Sequence, residues 1–237
     1  MGVDPRRVAD ELDARLRALG TRERAEHEQR YLKSELEHLG ATVWQIRSEV
    51  RSLAKEHPDL THDALVAVVD ELWAKPVHER RMAAVFLLEA YPERLTPNDL
   101  PLVERLVRES GTWALVDGLA GDVLGVLLVR FPRAAPKLDR WARDPDFWVR
   151  RSALLAQLEP LREGAPFARF ARYADSMLEE KEFFIRKAIG WVLRETGKTR
   201  PDEVFEWLAP RFDRLSGVTR REAVKYLKPE QRSALTR

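Results

Sequence analysis

The sequence contains no cysteine. That excludes disulfide staples, thiolate nucleophiles and cysteine metal centres, and it agrees with a reducing compartment. Long hydrophobic runs are missing too: charged residues make up 34% of the chain and interrupt every apolar stretch. Each stretch falls well short of the roughly 18 consecutive residues that a bilayer crossing needs, so no membrane span or membrane partner is expected. The opening residues, "MGVDPRRVADELDARLRALG", scatter their charges instead of placing an apolar block behind a basic start, so they do not read as a secretory signal. A cytoplasmic location is the expectation.

Glycine is sparse, with 11 residues, and forms no phosphate-cradling loop; there is no nucleophile elbow either. Hydride, phosphoryl and acyl chemistry therefore lack their parts. The five histidines are dispersed. Glu35 and His38 make a single Glu-x-x-His, whereas a di-metal bundle needs two such motifs and further glutamates. His57 and His62 do not match zinc-ligand spacing. The expectation is a protein without metal or cofactor.

Net charge is also small, at +2, but it is unevenly spread. Residues 130–237 hold 24 Lys and Arg against 16 Asp and Glu, a net +8, which leaves −6 for the remainder. Such asymmetry points to a polyanion partner, although a scattered solvated surface accounts for it equally well on charge alone.

What the chain does contain is a repeat. "HERRMAAVFLLEAY" from His78, "WVRRSALLAQLEP" from Trp148, "FIRKAIGWVLRET" from Phe184 and "VTRREAVKYLKPE" from Val218 superpose without gaps. Their basic pairs begin at Arg80, Arg150, Arg186 and Arg220, so the steps are 70, 36 and 34 residues and the period is close to 35. Apolar residues recur at helical spacing in each unit, and no period-2 strand pattern competes. Breaks such as "HPDLT", "YPERLTPNDLP", "RFPRAAPKL" and "TGKTRPDE" mark helix ends. The pattern predicts an all-α chain, an α-solenoid of HEAT-like helical hairpins with a concave binding face, forming a single domain over residues 1–237.

One unit breaks the pattern. In "GTWALVDGLAGDVLG", residues 111–125, Leu115 and Val116 stand where other units have their basic pair, and Asp117 sits among apolar neighbours. Trp113 and Asp117 are four apart and share one helical face. A core aspartate held by hydrogen bonds is the plain reading, yet burial raises a carboxyl pKa unless a cation or donors compensate. A transient positive charge is the other reason for an acid there. Trp191, beside Gly190 in "AIGWVLRE", offers a second indole face, and indole faces attract cations. Read as core residues, the same tryptophans are ordinary packing.

The run "KEFFIRKAIGWVLRE", residues 181–195, closely resembles the final catalytic repeat of the AlkD-like DNA alkylation repair proteins, bacterial alkylpurine DNA glycosylases built from HEAT-like repeats. "RYLKSELEHLG", "ELWAKPVHERR", "TWALVD" and "FWVRRSALLAQL" resemble other family segments in the same order. The resemblance implies hydrolysis of the N-glycosidic bond of N3- or N7-alkylated purines in double-stranded DNA, by a monomer acting without a cofactor. By position it implies that Trp113, Asp117 and Trp191 are the catalytic residues. It implies that Tyr31 lies near the lesion and that Arg47, Arg151, Arg194 and Lys225 contact DNA. The chain departs from the family at Ala114, where an acidic residue is common, and at "ATVWQIR" after Gly40, where a Thr-Pro pair is common. A non-catalytic HEAT-like module binding DNA or protein is the competing reading.

Overall fold

A computed structural model describes residues 3–235 of the chain. It is helical throughout; among the described residues the one extended pairing is an isolated parallel bridge between Glu37 and Val77. The chain divides into two compact units between Leu119 and Ala120. The first contains α1 (Pro5–Leu19), α2 (Arg22–Leu32), α3 (Val43–Glu56), α4 (His62–Ala74), α5 (His78–Ala90), α6 (Leu100–Glu109) and α7 (Trp113–Asp117). The second contains α8 (Gly125–Arg130), α9 (Phe147–Leu155), α10 (Leu158–Arg162), α11 (Ala168–Ser176), α12 (Phe183–Gly197), α13 (Pro201–Leu208), α14 (Gly217–Ala223) and α15 (Pro229–Leu235). No linker separates them: the division falls inside a π-helical turn, Gly118–Leu124, that follows α7 directly.

Local chemistry explains the boundaries. Asp4 caps α1 with Pro5 at its first position, and Thr42 with Gln45 closes a reciprocal capping box at the start of α3. Three of the proline-bearing breaks fall between helices, at α3–α4, α5–α6 and α12–α13, and the fourth follows α8 as a 3-10 segment, Pro132–Asp139. In the first unit α1, α3, α4 and α5 pack together, burying Leu12 and Leu16, Ile46 and Val50, Leu65 and Leu72, and Leu87 and Leu88. The pairs on α1, α3 and α4 lie four or seven residues apart, so one stripe of each faces inward, whereas α5 is buried on nearly every side from Met82 to Leu88. Full burial of such a side chain contributes about 1.5–3 kcal/mol before entropy is counted.

The four repeat segments each open a helix: α5, α9, α12 and α14. Three of their leading arginines reach back to the preceding segment. Arg80, 1% exposed, donates to the carbonyls of Glu71 (2.7 Å) and Leu72 (3.3 Å) in the last turn of α4 and to that of Ala9 (3.4 Å) on α1. Arg150 Nη1 donates to the carbonyls of Asp144 (2.6 Å) and Pro145 (2.9 Å), and Arg186 Nε to that of Glu180 (2.6 Å). The last carbonyls of a helix or turn have no helical partner, and a guanidinium fork satisfies them. At Arg80, Arg150 and Arg186 the recurring basic residue is thus a tie between its helix and the segment before it, while Arg220 lies over the Phe212 ring at 5.5 Å. At α7 the equivalent residues, Leu115 and Val116, are fully buried. In this unit the pair packs into the interior instead.

Candidate active site

In the first unit, Thr112 opens α7 by accepting the Ala114 amide on its hydroxyl oxygen, 3.4 Å away, just after Gly111 at φ +61°. Trp113 and Asp117 are the first and last residues of this single turn and are both half-buried, while Leu115 and Val116 between them are enclosed. The helix therefore buries one side and keeps its Trp113–Asp117 edge partly accessible. A carboxylate so placed avoids the full cost of desolvating a charge. The π turn begins at the next residue, and such turns re-aim the side chains beside them.

Gly118 fixes how this edge meets α5. A Cβ there would lie 2.8 Å from Val85 Cγ1 and 3.5 Å from Glu89 Oε1, too close for any other residue without movement. Arg47, from α3, pairs with Glu89 at 2.7 Å and lies over the Phe86 ring at 4.0 Å. Arg47 thus belongs to an ion pair that backs Gly118, with about a third of its side chain still in solvent. Tyr31, near the end of α2, is 67% exposed and meets Trp113 edge-on, with ring centroids 6.1 Å apart. Tyr31, Trp113 and Asp117 are brought together, with Arg47 one layer behind.

The second unit places the other expected residues. Trp191 is half-buried on α12. A Cβ on the adjacent Gly190 would meet Glu222 Cβ at 2.9 Å and Thr219 Cα at 3.1 Å, so this glycine admits α14 against α12. Arg194, one turn beyond Trp191, donates to Glu222 at 2.5 Å and Glu195 at 3.0 Å. Lys225, exposed, donates to the same Glu222 at 2.7 Å. Lys225 and then Arg194 hold the Glu222 carboxyl below its usual range, against a burial effect that raises it. Arg151 is only 1% exposed: its Nη1 donates to the carbonyl of Phe184 in the first turn of α12, and its guanidinium carbon lies 5.7 Å from that ring. A phosphate contact by Arg151 requires it to leave this carbonyl. A cavity of about 660 Å³ opens elsewhere in the unit, lined by Leu128, Pro132, Gln157, Pro160 and Arg172, and none of the expected site residues lines it.

Sequence reasoning missed the two glutamates that hold the expected DNA contacts. Glu222 carried a signal, since it precedes Lys225 by three residues, a helical pairing distance. Glu89 carried none, because its partner Arg47 comes from a separate helix.

The family model described as DNA alkylation repair enzyme matches residues 12–227. The chain belongs to this family. The match runs across the division at Leu119. A solved structure described as a predicted DNA alkylation repair enzyme from Enterococcus faecalis is similar at TM-score 0.81 and 25% identity, over 89% of this chain and 97% of that one. The smu.31 protein of Streptococcus mutans UA159 shares the fold at TM-score 0.59 and 17% identity, over 78% of this chain and 94% of that one. No curated protein matches in sequence. Family membership gives the chain a role in repair of alkylated DNA, with DNA as its substrate. No helix among the described residues is long and apolar enough to cross a membrane.

Proposed function

We propose that this DNA alkylation repair protein is a glycosylase that hydrolyses the N-glycosidic bond of purines made cationic by alkylation at N3 or N7, leaving an abasic site. An alkylated purine already carries positive charge and departs neutral, so the reaction needs no general acid. Positive charge instead spreads onto the deoxyribose, as in glycoside hydrolysis. A carboxylate about 4 Å from that charge contributes up to ~4 kcal/mol at an effective dielectric near 20, close to a thousandfold in rate if realised only in the transition state.

The observation that supports this reading most is the Trp113–Asp117 edge of α7, with Tyr31 against the indole. Asp117 stabilises the sugar cation and orients the attacking water, the face of Trp113 packs against the sugar and excludes other water, and Trp191 presents an indole face to the DNA from the second unit. Arg194 and Lys225 take phosphates, with salt-dependent affinity and no sequence readout. Arg47 adds to this contact with the exposed part of its guanidinium, and Arg151 acts chiefly by holding the start of α12. The protein works on double-stranded DNA as a monomer, without a cofactor.

Base release from DNA methylated to carry 7-methylguanine and 3-methyladenine tests the reading. Wild type releases both free bases, and Asp117→Asn loses at least a hundredfold in rate while binding the DNA as before. Equal release by the two proteins removes Asp117 from catalysis. No release by either returns the chain to the DNA-binding reading.

A further inference from the structure

We propose that Glu28, His38 and Glu79 form a site for a zinc-class divalent cation, and that the ion clamps α2 to the start of α5. The site stands apart from the glycosylase reading and does not rest on it. One ligand atom from each of the three side chains lies within 4.8 Å of the other two. In a tetrahedral zinc site with bonds of about 2.0–2.2 Å, ligand atoms are about 3.4 Å apart, so modest rotation of three side chains closes the set.

Backbone pairing builds this cluster. His78 donates its amide to the Glu37 carbonyl at 2.8 Å, and Glu37 donates to the Pro76 carbonyl at 2.9 Å, which lays residues 37–38 along the start of α5. His38 consequently stacks on His78, centroids 4.5 Å apart and planes 10° from parallel. The Glu79 carboxylate is buried and accepts the amides of Leu39 (2.9 Å) and Gly40 (2.6 Å), one on each oxygen. Those bonds orient it, as outer contacts do at metal sites. Glu28 comes from α2 and pairs with Arg24 through Oε1.

The polar accounting points to a ligand. Both ring nitrogens of His38 are buried without a hydrogen-bond partner, and so is Nδ1 of His78, a side chain almost wholly enclosed. Buried polar atoms left without partners are rare and call for a specific occupant. A cavity of about 470 Å³, lined by Arg17, Arg22, Gln29, Glu37, His38 and Leu39, opens beside His38.

The clamp answers a packing deficit. α2 has no buried residue, so apolar burial does not hold it, yet it carries Tyr31 against Trp113. A cation joining Glu28 of α2 to Glu79 of α5 supplies that hold. The site escapes sequence inspection because its ligands come from a helix, a loop and a second helix, with none of the short spacings of metal motifs.

The test uses the full chain freed of metal with a chelator and then titrated with Zn2+ by calorimetry, with Co2+ absorption reporting the coordination. Wild type is expected to bind one equivalent with a Kd in the micromolar range or below. His38→Gln and Glu28→Gln should each weaken binding at least tenfold; Glu28 is only half-buried, so that variant retains the fold. Bound Zn2+ should slow amide exchange in residues 22–32 of wild type. Failure of wild type to bind at millimolar Zn2+, or unchanged affinity in either variant, overturns the site. Zn2+ that binds without slowing exchange in α2 overturns the clamp.

Discussion

The Tyr31 ring meets the Trp113 indole edge-on, with centroids 6.1 Å apart and planes at 83°. This arrangement sets the positive edge of one ring against the negative face of the other, and it links α2 to α7 within the first unit. It also means that the side chain expected beside the lesion and the expected catalytic indole act on each other before any DNA arrives.

That contact is measurable. A double-mutant cycle of Tyr31→Ala and Trp113→Ala, followed by urea unfolding, should give a coupling energy of about 0.5–1.5 kcal/mol. A coupling near zero would mean that the rings meet without holding α2.

On the proposed DNA contacts, Glu222 competes with phosphate for two cations. Arg194 and Lys225 both donate to it, so neutralising it frees both for phosphate. Glu222→Gln is expected to tighten binding to undamaged duplex several-fold and to steepen the dependence of log Kd on log salt by about 1–2. Fluorescence anisotropy across a salt series reads both quantities. Unchanged or weaker binding would take Arg194 and Lys225 out of the interface.

Gly190 sets the approach of α14 to α12. Gly190→Ala pushes a methyl group onto the Thr219 backbone and is expected to cost about 1–3 kcal/mol, the usual range for overpacking. Gly121→Ala meets nothing within 4 Å and serves as the control, expected to gain up to ~1 kcal/mol from helix propensity. Equal urea midpoints for the two variants would show that α14 slides to make room.

His78 makes the fold sensitive to acid. Its folded pKa is pushed down by burial to about 3, well below the ordinary 6.5 that the unfolded chain retains. The unfolded chain takes up a proton below 6.5 that the folded chain refuses, so the contribution of His78 is complete above that pH. It is lost progressively as pH falls from 6.5 toward 3. The slope approaches about 1.4 kcal/mol per pH unit. With a chelator present, His78→Phe should flatten the decline of stability between pH 6.5 and 5, before most carboxylates titrate. Parallel curves for variant and wild type would mean that His78 is protonated in the folded state.

The sequence by itself determined whatever repeats within a few residues. Helical periodicity, the proline breaks and the 35-residue spacing placed α5, α9, α12 and α14, and the four-residue step from Trp113 to Asp117 placed both on one edge of α7. These features are legible because a helix's hydrogen bonds and side-chain neighbours lie three or four positions away. Only the tertiary structure decided what the basic pairs do, since Arg80 reaches the carbonyl of Ala9 and Arg151 that of Phe184, through chain reversals that periodicity does not encode. It alone set Tyr31 on Trp113, gave Arg47 to Glu89, stacked His38 on His78 and turned the chain into a π-helix after Asp117. Such contacts depend on how whole helices dock. Docking is governed by side-chain volume and the satisfaction of buried polar groups, which residue spacing does not carry.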